Sequence, residues 1–314
     1  MNLKERDQKL YERVTGVLQE RESTGYLKEK DISRTDLFSL LNSQVPDLSI
    51  LGTYLLSMLP SLPEPQFFLK GKNAARNYIR YSMAKQAANK ESFEIISETA
   101  DIPIFRQNFD ELITKFNMAS QHNSTPSQIN ADLTIIVHGT FAATSTWWQP
   151  GSNFWSHINN FTQNVYSGSN PFYWTGNNNH KDRVIGSQNL ISWCKKHPFK
   201  EIDIIAHSHG GNVCMYASSL GLKIRKLILL GTPIRLEYLP DLKNIKKIHN
   251  IFSTGDLVQK PGTFPNRRSE GRTLADSLTI FNHRAENNGK GNNPGHSELH
   301  ESATWNASNL NGVL

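Results

Sequence analysis

The segment Ile204-Ile205-Ala206-His207-Ser208-His209-Gly210-Gly211-Asn212 sets one serine between two histidines, directly behind an apolar run. Those residue types could supply a hydroxyl nucleophile with an imidazole base, a pair of metal ligands, or no more than a polar turn. The stretch alone leaves all three open. A serine hydroxyl attacks only when a base takes its proton and an acid holds that base. Two further segments carry such groups. Ile251-Phe252-Ser253-Thr254-Gly255-Asp256 ends an apolar run on an aspartate in a glycine-bearing turn, and Gly295-His296-Ser297-Glu298-Leu299-His300 brings two histidines after a run of Asn and Gly. His296 and His300 also have the i, i+4 spacing that binds zinc on a helix. The zinc-protease pattern needs glutamate directly after the first histidine, however, and here Ser297 stands there with Glu298 one position late. No G-x-x-x-x-G-K-[ST] phosphate loop occurs, and Gly210-Gly211 lacks the dinucleotide spacing. The expectation is a site without metal or organic cofactor.

The elements that would position these groups alternate along the second part of the chain. The β-branched run at 133–137 reads as a strand buried on both faces, 202–206, 224–230 and 247–252 read as further strands, and 171–174 as a short aromatic strand. Between them, 152–165, 183–196 and 209–220 read as helices. Strand and helix in alternation predict an α/β fold, a mainly parallel sheet covered by helices with right-handed crossovers. Ligands bind such sheets at the carboxyl ends of the strands, and Ser208 and Asp256 each follow a strand end. Residues 1–125 read mainly as helix, with charged amphipathic stretches at 3–22, 73–90 and 107–118 broken by SLPEPQ at 61–66. Short runs at 93–96 and 102–105 read as strands, and the polar segment 120–127 reads as a linker. Two regions are expected: a mostly helical N-terminal region at 1–125, as lid, partner-binding or delivery segment, and an α/β domain at 126–314.

Ala206-His207-Ser208-His209-Gly210 resembles the nucleophile elbow of the α/β-hydrolases, G-x-S-x-G, with alanine in the first glycine position. Val137-His138-Gly139-Thr140-Phe141 resembles the H-G-x loops of lipases in the same superfamily. With the tryptophan-rich Thr146-Trp147-Trp148-Gln149-Pro150 behind it, this is similar to a group of bacterial α/β-hydrolases over roughly residues 131–314. The resemblance implies an α/β-hydrolase fold and ester hydrolysis, often of lipids. It makes Ser208 the nucleophile and turns the flanking histidines away from it, leaving His209 to contribute a backbone N–H to the oxyanion hole. It places the second donor at Thr140, with Phe141 next in line, and makes His138 a brace for the loop. The acid is expected behind a later strand, where Asp256 is favoured over Asp241 and Asp276. The base is expected after the acid, following a glycine and with leucine three residues on. Gly295-His296 and Leu299 meet that pattern, with His300 as the alternative base and His283 third. Phe141, Trp147 and Trp148, with Phe154 and Trp155, would form an apolar acyl-binding wall or pack in the core. A second reading is a hydrolase-like fold used as a binding module with vestigial catalytic groups, since fold does not fix function.

Composition sets outer bounds. A chain of 314 residues with 37% hydrophobic and 20% charged residues fits an ordinary globular protein. Cys194 and Cys214 do not make a disulfide framework, and both fall in expected helices where a thiol packs as a small hydrophobe. The surplus of positive charge sits wholly after residue 130, where 18 Lys and Arg face 12 Asp and Glu. Basic clusters such as Lys243-Asn244-Ile245-Lys246-Lys247 and Arg267-Arg268 would suit peripheral contact with an anionic membrane surface. No nucleic-acid module surrounds them, so the expected partner is an ester or lipid substrate and not nucleic acid. The charged start MNLKERDQKL lacks the apolar core of a secretory signal, which predicts a cytoplasmic protein or export by a signal-independent route. The most apolar stretch, 48–59, is too short to span a bilayer and reads as a buried helix.

Overall fold

The computed structural model describes residues 4–21, 27–28, 30–59, 132–162, 164–197, 199–264 and 271–314. The helices expected at 73–90 and 107–118, the short strands at 93–96 and 102–105, the linker at 120–127 and the pair Arg267-Arg268 lie outside the described residues. Helices α1 (Glu5–Arg21), α2 (Arg34–Leu41) and α3 (Pro46–Met58) precede strand β1 (Leu133–Val137). Then come α4 (Asn153–Phe161), α5 (His180–Lys196), β2 (Ile202–His207), α6 (His209–Ser219), β3 (Ile224–Leu230), β4 (Ile245–Phe252), β5 (Ile280–Arg284) and α7 (Ser302–Ala307).

Among the described residues five strands form one sheet in the order β1-β2-β3-β4-β5, every neighbouring pair parallel. Strand period two divides its apolar side chains between two buried faces. Ile135 and Val137 of β1, Ile204 and Ala206 of β2, and Leu227 and Leu229 of β3 pack with Leu190 and Trp193 of α5 and Val213 and Met215 of α6. Their sequence neighbours Ile136, Ile205, Ile228 and Leu230 face the other way, against Phe154 and Ile158 of α4 and Trp305 of α7. Helices thus cover both faces, which is why the later parts of these strands read as apolar runs, while Asp203, Arg225 and Lys226 near the starts of β2 and β3 pair with one another. Cys194 and Cys214 are buried and unbridged on α5 and α6, and burial pushes the Cys194 thiol up to about 12.

Two parts of the strand pattern differ from the expectation. Residues 171–174 do not join the sheet; the Trp174 indole N–H donates instead to the His138 carbonyl at 2.8 Å. The aromatics therefore brace the loop behind β1. Strand β5 is the reverse case, a strand the sequence hides. It lies at the sheet edge, where Phe281 is exposed and Asn282 and His283 are only partly covered, so no apolar run marks it.

The N-terminal helices make their own core. Leu10, Val14 and Leu18 recur at helical spacing on one face of α1 and pack with Leu37, Leu40 and Leu41 of α2 and Leu48, Leu51 and Leu55 of α3. Pro46 starts α3 where its missing N–H costs nothing, and Asp47 sits in the first turn, favoured by the helix dipole. Phe264 from the α/β part is buried in the same cluster, and Leu257 packs against it. Among the described residues no helix is long and apolar enough to cross a membrane.

Candidate active site

Ser208 occupies the sharp turn between β2 and α6, with φ 53° and ψ −135°. A non-glycine residue at positive φ costs of order 1–3 kcal/mol and persists only where its surroundings enforce it. The turn is pressed against the loop behind β1: a Cβ built on Gly210 would lie 2.4 Å from the His138 carbonyl oxygen. The small residue at 210 is thus required by this neighbouring loop. The Ser208 N–H donates to Leu230 O at 2.8 Å, fixing the turn to the end of β3.

Asp256 follows β4 and His296 follows β5. The His296 Nδ1–H donates to Asp256 Oδ2 at 2.7 Å, with both side chains buried. The other carboxylate oxygen, Oδ1, accepts the N–H groups of Val258 and Gln259, each at 2.8 Å. Burial pushes the Asp256 carboxyl up, but the His296 charge and hydrogen bond, Arg272 and the Gln259 N–H outweigh it and hold it below the usual range. Burial likewise pushes His296 down, and Asp256 more than reverses this, leaving the imidazole more basic than usual. Gly231, at φ 57°, leaves the space this pair needs, since a Cβ there would lie 2.8 Å from Asp256 Oδ2. Arg272 steadies the aspartate loop from behind, donating to Ser253 O and, at 2.6 Å, to Asp256 O.

Ser208, His296 and His300 line one cavity of about 290 Å³ with Thr140, Phe141 and Trp147. The Ser208 hydroxyl makes no hydrogen bond among the described residues, so the serine and His296 share the cavity without a closed contact. The Phe141 N–H is committed to Gly176 O at 2.8 Å, which removes Phe141 as an oxyanion donor. Among the described residues the Thr140 N–H has no such backbone partner. The His209 N–H opens α6, where no preceding turn of helix offers an acceptor. The His209 side chain is buried, takes a hydrogen bond from Asn212 Nδ2 at 2.8 Å, and is held neutral chiefly by burial.

The remaining candidates fall elsewhere. His300 stacks on Trp147 with ring centroids 3.9 Å apart, with no carboxylate against it among the described residues, and burial pushes it down to about 3. His283 pairs with His249 at the sheet edge, 2.8 Å between ring nitrogens. Asp241 closes a turn on Lys243 and Asn244, and Asp276 accepts from Asn282. Trp148 does not line the cavity: it is buried against His138, its indole N–H donating to Ala142 O at 2.9 Å, because the loop behind β1 needs that support. Phe154 is core and Trp155 packs beside it, so of the five aromatics only Phe141 and Trp147 reach the cavity. His138 is fully buried between Trp148 and Trp174, and burial pushes it down to about 4. Among the described residues no group of three His, Cys, Asp or Glu is arranged to hold a metal.

Two residues at the site carry no sequence signal. The His207 Nε2–H donates to the His296 carbonyl at 3.0 Å, so this histidine supports the candidate base through its main chain. Asp47 of α3 accepts the backbone N–H groups of both His296 and Leu257. Without it the buried His296 N–H would be stranded, at about 1–3 kcal/mol, and the half-buried Leu257 N–H would lose its partner. The same helix lines the cavity through Ile50, Thr53 and Tyr54.

A parallel sheet with helices on both faces, a strained serine turn behind one strand, an acid behind a later strand and a histidine behind the last is the α/β-hydrolase fold. No family model and no curated protein matches the chain. Among solved structures, one described as a YdeN-like hydrolase from Pectobacterium atrosepticum is 11% identical, with 65% of this chain and 98% of that chain covered and a TM-score of 0.31. A cutinase-like protein from Cryptococcus sp. is 14% identical, with 60% and 94% covered and a TM-score of 0.29. Likeness at that level says nothing about activity; the fold rests on strand order and the serine turn.

Proposed function

We propose that this chain is a serine hydrolase that cleaves carboxylic esters through an acyl-enzyme on Ser208. The observation that carries the reading is the buried Asp256–His296 hydrogen bond of 2.7 Å, opening onto the cavity that holds a serine in a strained turn. In the reaction His296 Nε2 takes the Ser208 proton as Oγ attacks the acyl carbonyl. Asp256 holds the Nδ1–H tautomer and stabilises the imidazolium. The N–H groups of Thr140 and His209 face the developing oxyanion, and His296 returns the proton to the departing alcohol. Water then releases the acid by the same steps in reverse order of roles.

The cavity favours an apolar acyl group, since Ile50, Phe141, Trp147 and Val258 contribute to its wall. At about 290 Å³ it lies at the small end of ligand sites. Lipid or phospholipid esters would present an acyl chain to this wall.

The base works only when neutral, so hydrolysis is lost as pH falls through the His296 pKa. Because Asp256 raises that pKa above the ordinary 6.5, the acid limb of kcat/KM for short-chain esters should have its midpoint above pH 6.5. A profile flat down to pH 5, or absence of hydrolysis across short acyl esters, triglycerides and phospholipids, would remove the reading.

A further inference from the structure

Asp47 lies in the first turn of α3, yet it joins the two loops that carry the Asp256–His296 pair. Its Oδ2 accepts the His296 N–H at 3.0 Å and the Leu257 N–H at 3.2 Å, and Leu257 directly follows Asp256. Its Oδ1 shares the His296 N–H at 3.2 Å. From the opposite side the His207 Nε2–H grips the His296 carbonyl. The main chain of the candidate base is therefore clamped at both its polar atoms. Asp47 is 1% exposed, and a buried carboxylate is a costly way to seat a helix that already has an apolar face.

We propose that Asp47 is a positioning residue for the serine hydrolase reaction, locking the His296 and Asp256 loops in register so that the imidazole faces Ser208. The inference rests on the serine hydrolase reading. It makes α3 a working part of the site, supplying the anchor at Asp47 and, one and two turns on, the cavity wall at Ile50 and Tyr54.

The titratable groups facing Asp47 are Asp256 and His296 on the two loops and Tyr11 on α1, with Arg272 acting on all three of these. Burial, then the charge of Asp256, pushes Asp47 up to about 6. Above that pH it is an anion that can accept both N–H groups and that adds to the basicity of His296. Asparagine in its place keeps an oxygen acceptor and loses the charge; alanine loses both.

The test compares Asp47→Ala, Asp47→Asn and the native chain, with kcat expressed per active site titrated by a fluorophosphonate. Asp47→Ala should lower kcat about 10- to 100-fold with KM changed less than about 3-fold, the mark of a misplaced reacting group and not of lost substrate contacts. Asp47→Asn should restore most of that rate and move the acid limb to lower pH. Native kcat per titrated site in Asp47→Ala would overturn the proposal, as would an unmoved acid limb in Asp47→Asn. Should Asp47→Ala fail to fold, the acid limb of Asp47→Asn decides alone. A native chain that takes up no fluorophosphonate would overturn the serine reading and this proposal with it.

Discussion

Ser208→Ala is expected to lower ester turnover about a millionfold, because residues of a nucleophile–base–acid unit fail together. The residual rate would come from binding and from the oxyanion donors alone. Stability offers no competing explanation. The Ser208 hydroxyl makes no hydrogen bond among the described residues, so its removal strands no buried partner. Alanine keeps the Cβ and meets the same strain at φ 53° that serine already bears. A melting temperature close to the native value, with turnover gone, is the expected combination. Turnover within tenfold of native would mean that the hydroxyl takes no part.

The second large effect separates two histidines four residues apart. His296→Ala should cost about as much as Ser208→Ala, while His300→Ala should stay within about tenfold of native. Position alone does not distinguish them, since both line the cavity. Electrostatics does. Asp256 holds the proton on His296 Nδ1 and raises its basicity, whereas His300 lies among the rings of Trp147, His207 and Phe154 and is pushed down to about 3 by burial. Removing the His296 ring also leaves the Asp256 charge buried without its partner, a loss of roughly 3–5 kcal/mol. His296→Gln, which keeps a donor toward Asp256, therefore belongs beside the alanine variant. Abolished turnover in His300→Ala with His296→Ala unaffected would move the base to residue 300.

The sheet was legible where physical chemistry forces a local signal. Strands β1, β2 and β3 are covered on both faces, so Ile135-Ile136-Val137, Ile204-Ile205-Ala206 and Leu227-Ile228-Leu229-Leu230 are apolar at consecutive positions, and such runs announce themselves. The serine turn was legible for a similar reason: a Cβ at 210 would strike the His138 carbonyl, and that steric demand leaves a glycine in the sequence. Strand β5 was not legible, because an edge strand half-open to water need carry no apolar pattern. The aromatic run at 171–174 has strand composition but is drawn out of the sheet by the polar atoms of His138, a contact set by tertiary packing.

Asp47 shows the deeper limit. In the sequence it is an acidic residue after a proline at a helix start, where the helix dipole alone accounts for it. Its contact with His296 spans 249 positions, and nothing local encodes that. The same holds for His207, whose polar contact is to a backbone carbonyl 89 residues away. Side chains that act on main-chain atoms leave no partner residue type to search for, so a motif reading finds the reacting groups and misses what holds them. Trp148 makes the converse point: its neighbour Trp147 reaches the cavity, but one residue on the ring turns into the packing around His138.

The central claim is that the Asp256–His296 pair makes Ser208 nucleophilic. Incubating the folded protein with a fluorophosphonate and mapping the adduct by peptide mass spectrometry tests it most directly. The expected result is one adduct per chain, on Ser208, lost in Ser208→Ala and strongly slowed in His296→Gln. Folded protein left unlabelled at Ser208, or labelled equally fast without His296, would contradict the claim and favour a hydrolase fold that only binds.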